Sequence, residues 1–229
     1  TVSRNENGYP IGYFFGYKAI GVFQTQEEID SYISPATGKP IQPNAAPGDT
    51  KFEDLNGDGV ISDDNEDRTM IGKPNPDWMV GLTVAADWNG FDLSAFFQGS
   101  FGADVFDALR RYELAAVNYT LERWTGPGTS NSMPRIVLGD TPKNFRPSTL
   151  LVHDASFLRL RNLQVGYTLP AQLTRKAYIQ RLRFYASFDN LLTITGYKGM
   201  DPEIGSTMGI DKGVYPQARV YTFGLNLTF

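Results

Sequence analysis

Between Trp78 and Trp88 the even positions are apolar (Trp78, Val80, Leu82, Val84, Ala86, Trp88), whereas Gly81, Thr83, Ala85 and Asp87 are small or polar and only Met79 breaks the pattern. A period of two predicts a strand with two unlike faces. Ten residue steps at ~3.3 Å span about 33 Å, and a tilt near 40–45° projects that to roughly 24 Å, the height of the apolar band of an outer-membrane barrel. Strands of soluble proteins usually stop nearer 5–6 residues. A long strand of a β-sandwich with one buried face is the competing reading of this segment.

Asn89-Gly90 follows at once, a favoured two-residue turn. Phe91, Leu93, Ala95, Phe97, Gly99 and Phe101 then continue one face against Asp92, Ser94 and Gln98, which makes 78–101 a long hairpin. Leu163, Val165, Tyr167 and Leu169 alternate with Asn162, Gln164, Gly166 and Thr168. Leu182, Phe184, Ala186 and Phe188 do the same against Arg181, Arg183, Tyr185, Ser187 and Asp189. The chain closes on Tyr221, Phe223, Leu225, Leu227 and Phe229, interleaved with Thr222, Gly224, Asn226 and Thr228. An earlier run around Ile11, Tyr13, Phe15 and Tyr17 is a weaker sixth strand. The predicted strands lie near 11–22, 78–88, 91–101, 157–169, 181–194 and 219–229.

The connections at 88–91 and 170–180 are short, whereas 24–77, 102–156 and 195–218 are long and rich in Gly, Pro, Asn and Asp. Short periplasmic turns alternating with large extracellular loops are the habit of transmembrane barrels. Within the second long loop, Val105, Phe106, Leu109, Leu114, Val117 and Leu121 have spacings that predict a short helix across 103–123. Six strands cannot close a barrel, and an open edge in lipid leaves backbone donors and acceptors unpaired, so the chain reads as part of a larger barrel.

Composition sharpens this picture. Charged residues make up only 20%, below the roughly 25% of ordinary soluble domains. Twelve Tyr, fifteen Phe and three Trp coexist with a mean hydropathy of −0.30, as alternating strands require. No run approaches the ~18 apolar residues of a spanning helix, and residues 1–25 show no signal-peptide pattern. A net charge of −4 without a Lys/Arg block excludes a nucleic-acid groove. The absence of cysteine excludes disulfides, thiolate metal sites and cysteine nucleophiles.

The most chemically specific stretch is Asp54-Leu-Asn56-Gly-Asp58-Gly59-Val60, which matches the first half of a calcium loop. Asp54, Asn56 and Asp58 supply side-chain oxygens and Val60 its carbonyl; position 12 of the pattern is Asn65 in place of Glu, so the closing carboxylate has to be Asp63, Asp64 or Glu66, with Asp64 taken as the candidate. An Asx-turn-rich loop without an ion is the alternative. His153, the single histidine, reads as a rim residue, because one imidazole beside Asp154 assembles neither a metal site nor a triad. Asp201 and Glu203, separated by Pro202, are a weak match to a glycosidase pair. Arg159, Arg161, Arg181 and Arg183 read as snorkelling at the interface in preference to pairing with Asp189 and other acids. No catalytic residue is assigned, and the chain is not expected to be an enzyme.

Seven ordered stretches carry a family resemblance: Gly8 to Lys18, Gly48 to Gly59, Ile71 to Trp78, Gly90 to Gly99, Ala155 to Asn162, Asp189 to Leu192, and Gly213 through Phe229. Together they resemble the C-terminal barrel of the SusC/RagA family of TonB-linked outer-membrane transporters. The resemblance implies an all-β segment of about six antiparallel strands from a 22-stranded barrel in the cell outer membrane. It implies import of glycans or peptides driven through TonB, with a SusD-like surface lipoprotein over the mouth, lipid on the outer wall, and the plug and remaining strands supplied by the rest of the protein. It also implies that Tyr221–Phe229 is a closing strand whose last aromatic residue signals assembly. The competing reading is a soluble, secreted, calcium-dependent carbohydrate-binding β-sandwich.

Overall fold

The computed structural model describes residues 2–109, 118–204 and 208–229. Its strands in chain order are β1 (Ser3–Arg4), β2 (Tyr13–Tyr17), β3 (Ala19–Val22), β4 (Thr50–Phe52), β5 (Arg68–Gly72), β6 (Trp78–Trp88), β7 (Phe91–Phe101), β8 (Asp104–Asp107), β9 (Val152–Asp154), β10 (Phe157–Thr168), β11 (Arg181–Thr195), β12 (Ile210–Asp211) and β13 (Val220–Thr228). Two short helices, α1 (Gln26–Ser31) and α2 (Ala171–Thr174), interrupt them. No described helix is long and apolar enough to cross a membrane. The chain divides into two units.

The first unit, Pro76–Ala103, Asp154–Glu203 and Val214–Phe229, holds all the long strands. They form one sheet in the order β13-β11-β10-β7-β6, each neighbour antiparallel. Asn89 and Gly90 both adopt positive φ (46° and 87°), the backbone that a two-residue hairpin turn needs to match strand twist.

Register then decides what each face carries. Directly opposed residues share a face, and three unbroken rows cross all five strands: Trp88–Phe91–Tyr167–Phe184–Leu225, Ala86–Leu93–Val165–Ala186–Phe223, and Val84–Ala95–Leu163–Phe188–Tyr221. Two more, Leu82–Phe97–Leu160–Leu192 and Val80–Gly99–Leu158–Ile194, cross four strands. Every member is apolar or glycine. The opposite face carries Ala85–Ser94–Gln164–Ser187–Thr222 and Thr83–Phe96–Asn162–Asp189–Val220. The apolar rows are not covered: Trp88 is 77% exposed, Leu82 59% and Phe223 76%. The long strands therefore make one layer, and the sandwich reading, which requires a second sheet on that apolar face, is overturned.

The alternation changes phase in β10. Register slips between Leu160 and Asn162 against both neighbours, and Asn190 opposite it has a positive φ of 53°. Against β7, Arg161 is the extra residue of a β-bulge, whereas against β11 it faces two unpaired residues, Asn190 and Leu191, so there the extra residue is on β11. Leu160 and Leu163 thereby stay on the apolar face although three residues apart, while Arg159, Arg161 and Asn162 all serve the polar side.

The second unit comprises Thr1–Asn75, Asp104–His153 and Ile204–Gly213, with β1-β2-β5, β3-β4 and β12-β8-β9 as small sheets. It corrects one expectation and the two ends of another. The run near 11–22 is not a sixth wall strand: it breaks at Lys18 into β2, paired with β1 and β5, and β3, paired with β4. All five residues of β2 are buried, so neither of its faces is available to lipid or solvent. In the expected helix across 103–123, Asp104–Asp107 is strand and Asn118–Glu122 a 3₁₀ turn, and 110–117 lies outside the described residues. Phe14, Phe106 and Leu151 anchor this unit, with Ile71, Val152 and Ile210 packed around them.

Candidate functional site

Two polar assemblies stand out, one in each unit. On the polar face of the long sheet, Arg159 is 2% exposed and donates from Nη2 to Asp201 Oδ1 at 2.5 Å and from Nη1 to Glu203 Oε2 at 3.1 Å. Arg161, brought to the same side by its bulge, donates to Glu203 Oε1 at 2.5 Å, to Gln98 Oε1 at 2.7 Å and to Asn190 Oδ1 at 3.2 Å. Asp201 also accepts the Glu203 and Gln217 amides at 2.9 and 3.0 Å. Burial pushes the Asp201 carboxyl up, but the Gln217 amide, Arg159 and the Glu203 amide outweigh it and hold the group below its ordinary range. The connection after β11 is thus clasped to the polar wall by two arginines and two carboxylates.

This clasp replaces two sequence readings. Asp201 and Glu203 are spent on arginines and do not face each other across a substrate gap. Arg159 and Arg161 are paired inward and do not snorkel. Arg183 forms an ion pair with Asp92 at 2.5 Å that passes over Gly166 of the intervening strand. Asp189 accepts from Asn162 at 2.7 Å and from none of these arginines. The sequence signal for the clasp is Arg-x-Arg on one strand followed by Asp-Pro-Glu in the next long connection, but a spacing of some forty residues gives no pairing by itself.

In the loop unit, the calcium-type stretch is ordered by Asx turns. Asp54 accepts the amides of Gly57 and Gly59, both at 2.8 Å, Asn56 Oδ1 accepts that of Asp58 at 3.0 Å, and Asp58 Oδ1 accepts that of Val60 at 2.8 Å. Asn56 Nδ2 donates to Asp58 and Glu66, each at 3.0 Å. Asp64 accepts the Ser62 hydroxyl and the Glu66 amide at 3.0 Å; these hold its carboxyl below the ordinary range. Asp67, 0% exposed and unremarked in the sequence, closes the loop by accepting from the Leu55 and Ser62 amides. Among the described residues no group of three or more His, Cys, Asp or Glu side chains is placed to hold a metal ion. Each carboxylate oxygen bound to one amide still offers a second lone pair, so the turns orient Asp54 and Asp58 without exhausting them.

His153 lies in β9, its Nε2 3.8 Å from Asp107 Oδ2. A further hub joins the 46–50 turn to the 140–147 segment. Buried Asp49 receives Arg135 Nε at 2.6 Å and Nη2 at 3.1 Å, and Asn144 Nδ2 at 3.0 Å, while Asn144 Oδ1 accepts the Thr50 amide at 2.8 Å. Asp49 in turn raises Arg135 above its ordinary value. In the same segment burial pushes the Asp140 carboxyl up, against the opposing amides of Phe145 and Asn144.

No protein-family model matches the chain. Two curated relatives are similar along nearly all of it: TonB-dependent receptor P3 of Formosa agariphila, 34% identical over 236 residues, and TonB-dependent receptor SusC of Bacteroides thetaiotaomicron, 30% over 230. The matches take in 97% and 100% of this chain but only 22% and 21% of those proteins, so the chain spans about a fifth of their length. Among solved structures, the RagAB peptide importer in its open-open state aligns with a TM-score of 0.73 at 27% identity, over 100% of this chain and 23% of the other.

Proposed function

We propose that this chain, a homologue of about a fifth of the SusC/RagA-type TonB-dependent receptors, is one sector of the transmembrane barrel of such an importer in the outer membrane. The observation that carries the reading is the two-faced sheet. Five neighbouring strands present rows of bare apolar side chains on one side and polar rows on the other, as lipid outside and an aqueous lumen inside require. The polar wall and its clasped connection line the path, and the long connections belong to the extracellular face, where a SusD-like lipoprotein would close over a glycan or peptide. The plug, the TonB contact and the remaining strands come from the rest of the protein. Binding and gating need no covalent chemistry, so the reading assigns this chain no enzymatic role.

This stretch contains no cysteine, so the test needs a full-length receptor in which any cysteine elsewhere has been replaced. Single cysteines at Leu82 and Gln164 of the full-length receptor should respond oppositely. Leu82→Cys should be quenched by a lipid-borne quencher and resist a water-soluble maleimide, and Gln164→Cys should do the reverse. Aqueous labelling of both positions at equal rates would sink the barrel reading.

The 54–66 loop is the proposed calcium site, with Asp54, Asn56, Asp58, the Val60 carbonyl and Asp64 as ligands. Its support is the spacing of Asp54, Asn56, Asp58 and Gly59 in the sequence; the Asx turns at Asp54 and Asp58 are equally those of the ion-free loop. Calcium titration of the full-length receptor should give one site that Asp58→Ala abolishes, and unchanged binding in that variant would retire it.

A further inference from the structure

A cavity of about 680 Å³ opens in the loop unit between residues 39–45, residues 59–61 of the calcium-type loop, and residues 141–146. Its walls are largely apolar: Pro40, Ile41, Pro43, Val60, Ile61 and Pro142. The prolines fix their own backbone, so this lining is already ordered before anything binds. Asp49, also in the lining, is committed to Arg135 and Asn144. The other charged groups of the lining, Lys39, Lys143 and Arg146, are all cations, and no aromatic ring contributes.

Arg146 is held in place for recognition. Its guanidinium lies 4.6 Å from the centre of the Tyr17 ring and 5.0 Å from that of Phe52, and its Nε donates to the Lys143 carbonyl at 3.2 Å. Its Nη1 is buried and has no hydrogen-bond partner, an unspent donor of the kind that marks functional positions. Lys143 of the lining already receives a carboxylate, from a residue that is not itself part of the lining. Asp63, 68% exposed, pairs with Lys143 and lies 4.0 Å from Arg146 Nη1.

We propose that this cavity binds an acidic peptide segment, with aliphatic side chains against the proline-lined walls and a carboxylate at Lys143 and Arg146 in the position that Asp63 mimics. Thr37, Gln42, Asn44 and Thr141 also line the cavity, so what speaks against an oligosaccharide is the absence of an aromatic face to stack under its rings. The inference deepens the importer reading by assigning a substrate class to one loop cavity, and it rests on that reading for the cavity's exposure to the cell exterior.

The test uses the full-length receptor in detergent and three probes: a labelled Gly-Val-Asp-Val-Gly peptide, the same peptide with Asn in place of Asp, and maltoheptaose. The Asp peptide should bind about three- to fivefold more tightly than the Asn peptide, the range of one partly exposed ion pair. Lys143→Gln should erase that preference. Asp63→Asn should tighten the Asp peptide, because it removes the internal competitor; both changes are at exposed side chains and leave the core intact. Equal affinity for the two peptides, no measurable binding of either, displacement by maltoheptaose, or no response to Asp63→Asn would each overturn the assignment. Failure of the receptor to fractionate with the outer membrane would instead strike the importer reading and leave a measured peptide preference standing.

Discussion

Gly166 shows how much a single position can govern on the polar face. A Cβ there would sit 2.4 Å from Asp92 Oδ2 and 2.5 Å from Arg183 Nη2, so the absence of a side chain is what lets an ion pair cross from β7 to β11 over β10. Gly166→Ala should therefore part the pair and cost about 1–3 kcal/mol, the range for overpacking, read as a lowered midpoint in urea unfolding of the receptor from vesicles. An unchanged midpoint would show that the pair relaxes at no cost. Arg159 and Asp201 make a second residue-scale prediction with a defined sign in pH. The folded-state carboxyl titrates below its ordinary value of about 3.9, so its contribution is present above that value and is lost as pH falls through the depressed one. The connection after β11 should stay resistant to limited proteolysis from pH 7 to 5 and open only below about pH 4. Arg159→Met, which leaves the buried Asp201 carboxylate with its two amides but without its cation, should open it at neutral pH. Neither relation was legible in the sequence: Asp92, Gly166 and Arg183 are spread over 92 positions and meet only through strand register, and Asp201 finds Arg159 only because a long connection folds back.

At the scale of elements, the long strands were legible because each has unlike faces, and a period of two survives any detail of packing. Trp78–Trp88 and Phe91–Phe101 run between the predicted ends, and β13 differs from prediction by one residue at each end. Strand β2 was not legible as a loop element. Buried on both sides, it carries the same aromatic density as a wall strand, and what distinguishes it is partners β1 and β5, which are distant information. The bulge at Arg161 was hidden for a related reason: a local phase change looks like noise in the alternation until the neighbours' registers are known. The faces themselves give the element-scale prediction. Leu82 belongs to the apolar row and Thr83 to the polar one. Leu82→Arg should destabilise the receptor by about 2–4 kcal/mol at mid-membrane depth, whereas Thr83→Arg should leave stability near wild type and alter the lumen. Equal losses in vesicle refolding would contradict the assigned faces.

At the scale of the whole chain, a single sheet with one bare apolar face cannot satisfy itself in water. Strands β6 and β13 are its two margins, each hydrogen-bonded within the sheet on one side only. In hydrocarbon an unpaired margin costs several kcal/mol per backbone group, and in water the same margin is a template for aggregation. Apolar rows across five strands add a surface far beyond the scattered exposed residues of a soluble protein. Neither problem is solved by detergent alone, since a micelle covers a face but does not pair an edge. Three environments should therefore separate in a definite order when the 229-residue chain is prepared by itself. In buffer it should elute as aggregate. In detergent it should remain dispersed yet show slow exchange only at amides of the central strands β7, β10 and β11, with β6 and β13 exchanging fast. Within the full-length receptor in vesicles, β6 and β13 should become as protected as the centre, because flanking strands then pair both margins. Hydrogen exchange read by mass spectrometry distinguishes the three. A monomer in plain buffer with β6 and β13 already protected would mean that the chain closes its own edges, and would remove the reason for reading it as a sector of a larger barrel.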